Sequence, residues 1–266
     1  MNRIRSGDAE IAYEVLGSGP PVVLLHSFPV HHELWVPAAQ ALALRYRVIL
    51  PDLRGHGESD VGEGPATMQK HAADLARVLD DAEVQRAVFA GNSIGGYVLF
   101  EFWRQYAPRV LGLALCNTHA KGETSESRTT RLQSAQDVLA HGVDAFAESM
   151  LPRVLGETTL TSRPDLVEGA RRMMLKMSPT DVAEVQRGMA DRPDSVATLS
   201  TIRVPTVVIT GDEDSSTGVP EAQFMQRLIP GSQMMVVPKA GHYSPWEQPD
   251  DVGLILRQFV DRIYHA

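Results

Sequence analysis

Short runs of aliphatic and β-branched residues recur along the chain and set the pattern of its predicted strands. Seven runs of this kind occur in order: Ile11 to Val15, Val22 to Leu25, Arg47 to Leu50, Ala87 to Ala90, Val110 to Leu115, Thr206 to Thr210 and Met234 to Val237. Several are apolar throughout instead of alternating with polar residues, which is typical of strands buried on both faces of a sheet. We therefore predict a central sheet with helices on both sides.

Segments with helical spacing lie between these runs. Four of them precede the last part of the chain: Trp35 to Leu44, His71 to Ala82, Ile94 to Tyr106 and Ala222 to Leu228. From 252 to 264, apolar residues recur at intervals of three and four, which predicts an amphipathic helix docked on the sheet. The alternation of strands and helices predicts an α/β fold with a mostly parallel sheet.

The strand pattern is interrupted once. From about Thr118 to Thr201 the sequence is helical in pattern and charged, with prolines as punctuation. Strand-like sequence resumes at Val204 to Ile209. We therefore predict a helical cap inserted at residues 118–201, with residues 1–117 and 202–266 forming the α/β core.

Composition limits the classes of partner. The 266 residues are 43% hydrophobic and 22% charged, as in ordinary globular proteins. No stretch approaches the ~20 apolar residues of a membrane span, and no apolar signal region follows the basic start, so we expect a cytoplasmic protein without a membrane partner. The formal net charge of -8 argues against a nucleic-acid partner and favours a small molecule. Whether the chain forms a homodimer is left open.

Cysteine and histidine positions give no indication of a metal or another cofactor. Cys116, the only cysteine, lies inside an apolar run and is predicted to be a buried structural thiol. His31 and His32 are adjacent, but neighbouring side chains diverge and no third ligand stands at a zinc-like spacing. We expect neither a metal site nor a cofactor.

The segment Gly91-Asn92-Ser93-Ile94-Gly95 follows a predicted strand and precedes a predicted helix. In this context the pattern predicts a strained turn that projects the Ser93 hydroxyl above the sheet, with small residues required at 91 and 95. Because the helix begins next to Ser93, the free backbone N–H of Ile94 is placed to stabilise an oxyanion. Ser93 is the candidate nucleophile.

Two further segments supply partners for a serine nucleophile. After the strand Thr206 to Thr210 come three acids, Asp212, Glu213 and Asp214, and after Met234 to Val237 comes His242. Carboxyl ends of parallel strands are where sites of α/β proteins form. His242 would accept the serine proton and one of the carboxylates would orient its ring. Sequence position alone leaves the choice among the three acids open.

These segments together resemble the α/β-hydrolase family over essentially the whole chain. Four ordered segments carry the resemblance: His26-Ser27-Phe28-Pro29, Pro51-Asp52-Leu53-Arg54-Gly55-His56-Gly57-Glu58-Ser59, the turn at Ser93, and Gly211-Asp212-Glu213-Asp214 with Gly241-His242. The order serine, acid, histidine is the one that this fold uses. The fold expected from the resemblance is a mostly parallel central sheet flanked by helices, with an inserted helical cap.

The resemblance also implies roles for individual residues. It makes Asp214 the acid, and it makes the amide of Phe28 the second oxyanion donor beside Ile94. Ser27 stands where the family usually has glycine and would add a hydroxyl near the substrate. His56 belongs to a segment similar to the family's structural turn, so no catalytic role is expected for it.

Within the family, the predicted cap is most similar to 3-oxoadipate enol-lactonases and small esterases. The similar stretches are Met173 to Met177 and Gly188 to Ser195. Five of the ten methionines lie in the insertion, which favours an adaptable apolar lid, although helix packing explains such methionines equally well. Together with Ser27, the residues predicted to contact substrate are Met150, Met177 and Met189.

The resulting prediction is a hydrolase of carboxylic esters or lactones that acts through Ser93, His242 and Asp214. Serine at position 93 argues against dehalogenases and epoxide hydrolases of this fold, which use a carboxylate nucleophile. Perhydrolases or haloperoxidases without a cofactor, hydroxynitrile lyases and carbon–carbon bond hydrolases share these three residues and stay open. A receptor that binds a ligand without catalysis is the alternative from another class.

Overall fold

The computed structural model describes residues 1–265, in which eight strands form one sheet. The strands are β1 Asn2–Ser6, β2 Ala9–Leu16, β3 Pro21–Leu25, β4 Arg47–Pro51, β5 Ala87–Asn92, β6 Val110–Cys116, β7 Thr206–Gly211 and β8 Gln233–Val237. Their order in the sheet is β1-β2-β4-β3-β5-β6-β7-β8. Strand β2 runs antiparallel to both of its neighbours, and every other pairing is parallel.

Helices connect the parallel strands, because two parallel neighbours need a crossover connection. They are α1 Val36–Ala43, α2 Met68–Asp81, α3 Ile94–Tyr106, α4 Ser125–His141, α5 Val143–Val154, α6 Glu157–Ser162, α7 Pro164–Met174, α8 Pro179–Ala190, α9 Val196–Leu199, α10 Val219–Leu228, α11 Ser244–Glu247 and α12 Pro249–Tyr264. Within residues 1–265, no helix combines the length and apolar composition needed to cross a membrane.

The apolar runs form the centre of the sheet because both of their faces are covered. All six residues of β5 are buried, and the same holds for β7. One apolar cluster contains Phe89 and Phe102 on the side of α2 and α3, and the other contains Trp35 and Phe259 on the side of α1 and α12. The predicted fold, a mostly parallel sheet flanked by helices, is confirmed.

The sequence pattern missed β1. In this strand, Asn2 to Ser6, every residue except Ile4 is polar or charged, and four of the five are not buried. The strand forms because it pairs with β2 at the edge of the sheet, with Arg3 bonded to Glu10 and Glu58. An edge strand needs little apolar character, so hydrophobic periodicity does not reveal it.

Helices α4 to α9 all lie between β6 and β7, as the interruption of the strand pattern predicts. They share an apolar cluster with the main body of the protein, in which Phe146 and Met189 pack together with Phe28. Hydrogen bonds also join them to the main body, since Trp246 donates to the backbone oxygen of Leu166 at 3.0 Å. The division into a core and a cap domain stays a prediction.

The segment from Asp52 to Ser59 is a tightly bonded turn beside the sheet. The Asp52 carboxylate accepts hydrogen bonds from the backbone N–H groups of His32 and Glu58, at 2.8 and 2.9 Å. His56 is fully buried, and its Nδ1 donates to the Arg54 oxygen at 3.0 Å. Burial lowers the pKa of His56 to about 4.

This buried histidine should make the fold sensitive to acid. Unfolded His56 has a pKa of about 6.5, so between pH 6.5 and pH 4 the unfolded chain binds the additional proton. The free energy of unfolding therefore falls as the pH falls through this window, by on the order of 3 kcal/mol from this residue. Urea unfolding at pH 7 and at pH 4 should show a smaller pH-dependent loss for His56→Gln than for the wild type. The exposed His141→Gln is the control, and equal losses in all three proteins would contradict the prediction.

Candidate active site

Ser93 lies in a sharp turn between β5 and α3. Its backbone has φ 54° and ψ -113°, a strained conformation that few residues other than glycine adopt. A Cβ atom on Gly91 would lie 2.5 Å from the carbonyl carbon of Gly95, and one on Gly95 would lie 2.5 Å from the Leu25 oxygen. Glycine is therefore required on both sides of Ser93, as the sequence pattern predicts.

Ser93 lies on the wall of a cavity of about 660 Å³. His242, in the loop after β8, and Phe28, in the loop after β3, line the same cavity. The remaining wall includes side chains of α4, α5 and α8. The inserted helices thus enclose the space above the C-terminal edge of the sheet, where the sequence places the candidate nucleophile.

The imidazole of His242 is held by Asp214. His242 Nδ1 lies 3.0 Å from Asp214 Oδ2, and both side chains are buried. Because a carboxylate only accepts hydrogen bonds, we assign the proton of the neutral ring to Nδ1, which leaves Nε2 unprotonated. An unprotonated nitrogen on this cavity wall is available as a base.

Donors surround the Asp214 carboxylate. It accepts hydrogen bonds from the Asn117 amide at 2.8 Å, the Thr217 hydroxyl at 2.7 Å and the N–H groups of Ser216 and Thr217 at 2.8 and 3.0 Å. Burial by itself would raise the pKa of Asp214, but His242, Asn117 and the Thr217 N–H outweigh burial and hold that pKa well below its usual range. Asp214 is therefore ionised at neutral pH.

The two other acids of this loop have different surroundings. Asp212 is exposed to solvent. Glu213 accepts hydrogen bonds from the N–H and the hydroxyl of Thr158, at 2.8 and 2.5 Å, and so joins the loop to the start of α6. Among the three acids that the sequence left open, Asp214 is the one hydrogen-bonded to His242.

The backbone N–H groups of Phe28 and Ile94 are the candidate donors to an oxyanion beside Ser93. The Ser27 oxygen accepts hydrogen bonds from His26 Nδ1 at 2.8 Å and from the Val30 N–H at 3.2 Å. In a trans peptide the N–H of Phe28 points away from that oxygen, and within residues 1–265 it donates to no backbone acceptor. Ile94 is the first residue of α3, and its N–H has no acceptor within the helix.

The four side chains predicted to contact substrate divide into two pairs. Met150 and Met189 line the cavity. Ser27 is fully buried and donates to the Phe28 oxygen at 3.2 Å, so its hydroxyl is used within the loop. Met177 lies in the turn between α7 and α8, buried in the apolar cluster. Neither Ser27 nor Met177 is among the described residues of the cavity wall, so their contact with substrate stays a prediction.

Asn117 is a site residue that the sequence reasoning missed. It follows β6 directly, with φ 43°, and its side-chain amide donates both to Asp214 Oδ2 and to the Gly241 oxygen, at 2.8 and 3.1 Å. Its Oδ1 accepts from the Ser244 hydroxyl at 2.5 Å. The available signal was a polar residue at the carboxyl end of an apolar strand, the same signal that pointed to the acids after β7.

Glu247 was missed as well. Its buried carboxylate accepts hydrogen bonds from the N–H groups of Gly156, Gly241 and Tyr243, at 2.8, 3.0 and 3.1 Å, and from the Thr159 hydroxyl at 2.7 Å. Burial raises its pKa even though these donors act in the opposite direction. Glu247 thus connects the loop that carries His242 to the inserted helices, and no local pattern in the sequence indicates these contacts.

Among residues 1–265, the structure brings one possible group of metal ligands together. Ligand atoms of His31, His32 and Asp52 lie within 4.8 Å of one another, so Asp52 supplies the third group that sequence spacing did not show. The Asp52 carboxylate, however, already accepts from the N–H and Nδ1 of His32 and from the Glu58 N–H. These hydrogen bonds give Asp52 a structural role in the loop.

Cys116 is buried, and burial raises the pKa of its thiol.

Comparison with known proteins agrees with this fold. Residues 20–249 match the family described as the alpha/beta hydrolase fold. 3-Oxoadipate enol-lactonase 1 of Acinetobacter baylyi is 30% identical over 246 residues, which cover 92% of this chain and 90% of the relative. The predicted resemblance to enol-lactonases is thereby confirmed.

Solved structures lead to the same family. A thermophilic esterase from Thermogutta terrifontis, with malate bound, is 38% identical with a TM-score of 0.96, and the match covers 99% of this chain and 100% of the other. The enol-lactonase from Burkholderia xenovorans LB400 is 26% identical with a TM-score of 0.90, covering 97% and 99% of the two chains. These relatives are named as enzymes that act on ester bonds. The chain belongs to the alpha/beta hydrolase fold family.

Proposed function

We propose that this protein is a serine hydrolase that cleaves carboxylic esters or lactones through an acyl-enzyme on Ser93. The observation that carries the proposal is the buried pair of His242 and Asp214, 3.0 Å apart, on the cavity that Ser93 lines. This is the arrangement that activates a serine, because the hydroxyl is a weak nucleophile until a base removes its proton. The named esterase and enol-lactonase relatives support the same type of bond.

In the proposed reaction, Ser93 Oγ attacks the substrate carbonyl carbon while His242 Nε2 takes the hydroxyl proton. The N–H groups of Phe28 and Ile94 donate to the oxygen that becomes negative. When the tetrahedral intermediate collapses, the carbon–oxygen bond to the leaving alcohol breaks and His242 protonates that oxygen. With a lactone the alcohol stays attached to the acyl chain.

The second half of the reaction frees the enzyme. A water molecule gives a proton to His242 and attacks the acyl-enzyme carbonyl, and Ser93 leaves with that proton as the acid is released. Asp214 keeps the His242 ring oriented in both halves and stabilises its charged form. In this mechanism, the buried donors around Asp214 serve to keep it ionised and fixed.

Labelling with a fluorophosphonate probe tests the proposal. We expect one covalent adduct, mapped by mass spectrometry of peptides to Ser93, and no adduct in Ser93→Ala. Ser149→Ala is the matched control, since Ser149 also lines the cavity but donates to the Phe146 oxygen at 2.7 Å. An adduct on another residue would exclude Ser93 as the nucleophile, and no adduct in the wild type would favour a binding protein.

Hydrolysis assays then separate ester and lactone cleavage from the other reactions that the same residues support. p-Nitrophenyl esters with short and medium acyl chains and a set of small lactones form the panel. The Thermogutta terrifontis esterase has malate bound, so the panel also includes esters that carry a free carboxylate. Labelling of Ser93 without any turnover in the panel would favour perhydrolase or lyase chemistry.

A further inference from the structure

Arg131, on α4, is a charged side chain on the wall of the Ser93 cavity. Its Nε donates to Glu123 Oε1 at 2.7 Å, and its Nη1 donates to Gln186 Oε1 at 3.2 Å. Within residues 1–265, Nη2 donates to no acceptor. About 25% of the side chain stays exposed, so the unused N–H groups can reach a molecule in the cavity.

The charges of this wall do not balance. The side chain of Glu123 is only 6% exposed and pairs with Arg131 and with Arg192, so one carboxylate serves two guanidinium groups. Arg192 is only 3% exposed and is turned away from solvent, whereas the nearby acids Glu126 and Asp194 are exposed. Solvent screens exposed charges, but a buried cation keeps its field. A positive charge in excess therefore remains beside the cavity.

His119, which lines the cavity next to this pair, reflects the same positive field. Its Nε2 lies 3.1 Å from Arg192 Nη2, which only donates, so the imidazole nitrogen is the acceptor. Burial first, and then the charges of Arg192 and Arg131, lower the pKa of His119 to about 3. His119 is therefore neutral, and it neither adds to nor cancels the excess charge.

We propose that the cavity binds substrates that carry a carboxylate in addition to the ester or lactone group, and that Arg131 Nη2 is its principal donor. Guanidinium groups bind carboxylates through charge-assisted hydrogen bonds, and such a bond is strengthened where solvent is excluded. An arginine that served only to join α4 to its neighbours would need only the hydrogen bonds of Nε and Nη1. The inference rests on the proposed function, because it defines which esters that site accepts.

Matched substrates test the proposal. The p-nitrophenyl monoester of glutaric acid is compared with p-nitrophenyl pentanoate, and 4-acetoxybenzoate is compared with 4-acetoxybenzamide, so that the charge lies on the acyl side or the leaving side. We expect the wild type to favour the charged member of at least one pair. Arg131→Gln should lower that selectivity, the ratio of the two kcat/KM values, by about 10- to 100-fold. Arg131→Lys should keep part of it.

Arg128→Gln is the control variant. Arg128 lies on the same helix and loses the same charge, but it is exposed and paired with Asp191. It should leave the selectivity unchanged. If Arg131→Gln lowered the kcat/KM of charged and neutral substrates equally, the residue would be structural and the proposal would be wrong. Unchanged selectivity in Arg131→Gln would overturn it as well.

A binding measurement separates this inference from the proposed function. Glutarate should raise the Tm of the wild type and of Ser93→Ala, because ligand binding to the folded state needs no chemistry. The rise should be lost in Arg131→Gln and kept in Arg128→Gln. A wild type that hydrolyses neutral esters but shows no glutarate effect would refute the carboxylate site alone. A wild type that binds glutarate but hydrolyses nothing would refute only the reaction.

Discussion

Replacing Ser93 with alanine is expected to lower kcat for ester hydrolysis by about 10⁴- to 10⁶-fold while the protein stays folded. The loss is large because the nucleophile, the base and the oxyanion donors act as a unit. The structure gives no reason for a loss of stability, since the backbone bonds of Ser93, such as N–H to the Cys116 oxygen at 3.0 Å, do not involve the hydroxyl. Steady-state kinetics with p-nitrophenyl butyrate and thermal unfolding measure both effects.

The comparison needs a serine that shares the cavity but not the proposed chemistry. Ser149→Ala fits, because it removes the same atom from the same cavity wall. We expect its kcat to stay within a few-fold of the wild type. If Ser93→Ala kept a substantial part of the wild-type rate, or if Ser149→Ala lost as much, Ser93 would not be the nucleophile.

Asp214→Asn is expected to reduce kcat by about 10⁴-fold, again without unfolding. The carboxylate fixes the proton of His242 on Nδ1, whereas an amide can present its NH2 group to that nitrogen and favour the wrong tautomer. An amide is also disfavoured by its surroundings. The donors of Asn117 and Thr217 point at an anion whose pKa they hold below its usual range.

Asp212→Asn is the matched control for this substitution. It neutralises a carboxylate two residues away that is exposed, so its kcat should be close to that of the wild type. Glu213→Gln would be a poorer control because Glu213 holds Thr158 of α6. Full activity of Asp214→Asn would mean that another group orients His242, and the role of Asp214 in the proposal would be wrong.

The same low pKa has a consequence for stability. The pKa of Asp214 in the folded protein lies below that of an unfolded aspartate, which is about 3.9. Its contribution to stability is therefore present above pH 3.9 and is lost as the pH falls toward the folded value. His56 acts at higher pH, between 6.5 and 4, so the two groups weaken the fold in successive ranges of acid.

The parts of the candidate site that the sequence predicts are those whose geometry depends on neighbouring residues. The strand, turn and helix around Ser93 are specified by neighbouring residues, because the apolar strand and the glycines at 91 and 95 act within a few positions of the chain. The order of Ser93, Asp214 and His242 could be recognised for the same reason. Each follows a strand whose apolar pattern is visible.

Contacts between distant segments were decided only by the tertiary structure. Among three acids in one loop, the fold places only Asp214 against His242, and it turns Glu213 toward α6. It buries Ser27 and Met177, and it puts Arg131 on the cavity wall. Asn117 and Glu247 bind groups far away in the chain.

The sequence by itself determined the fold class, the inserted helical segment and the position of the candidate nucleophile. Those features follow from hydrophobic periodicity and from backbone sterics, which act over a few residues. The tertiary structure decided which charged and polar side chains face the cavity. That outcome depends on how helices separated by many residues pack, because a buried charge is stable only where distant partners supply its hydrogen bonds.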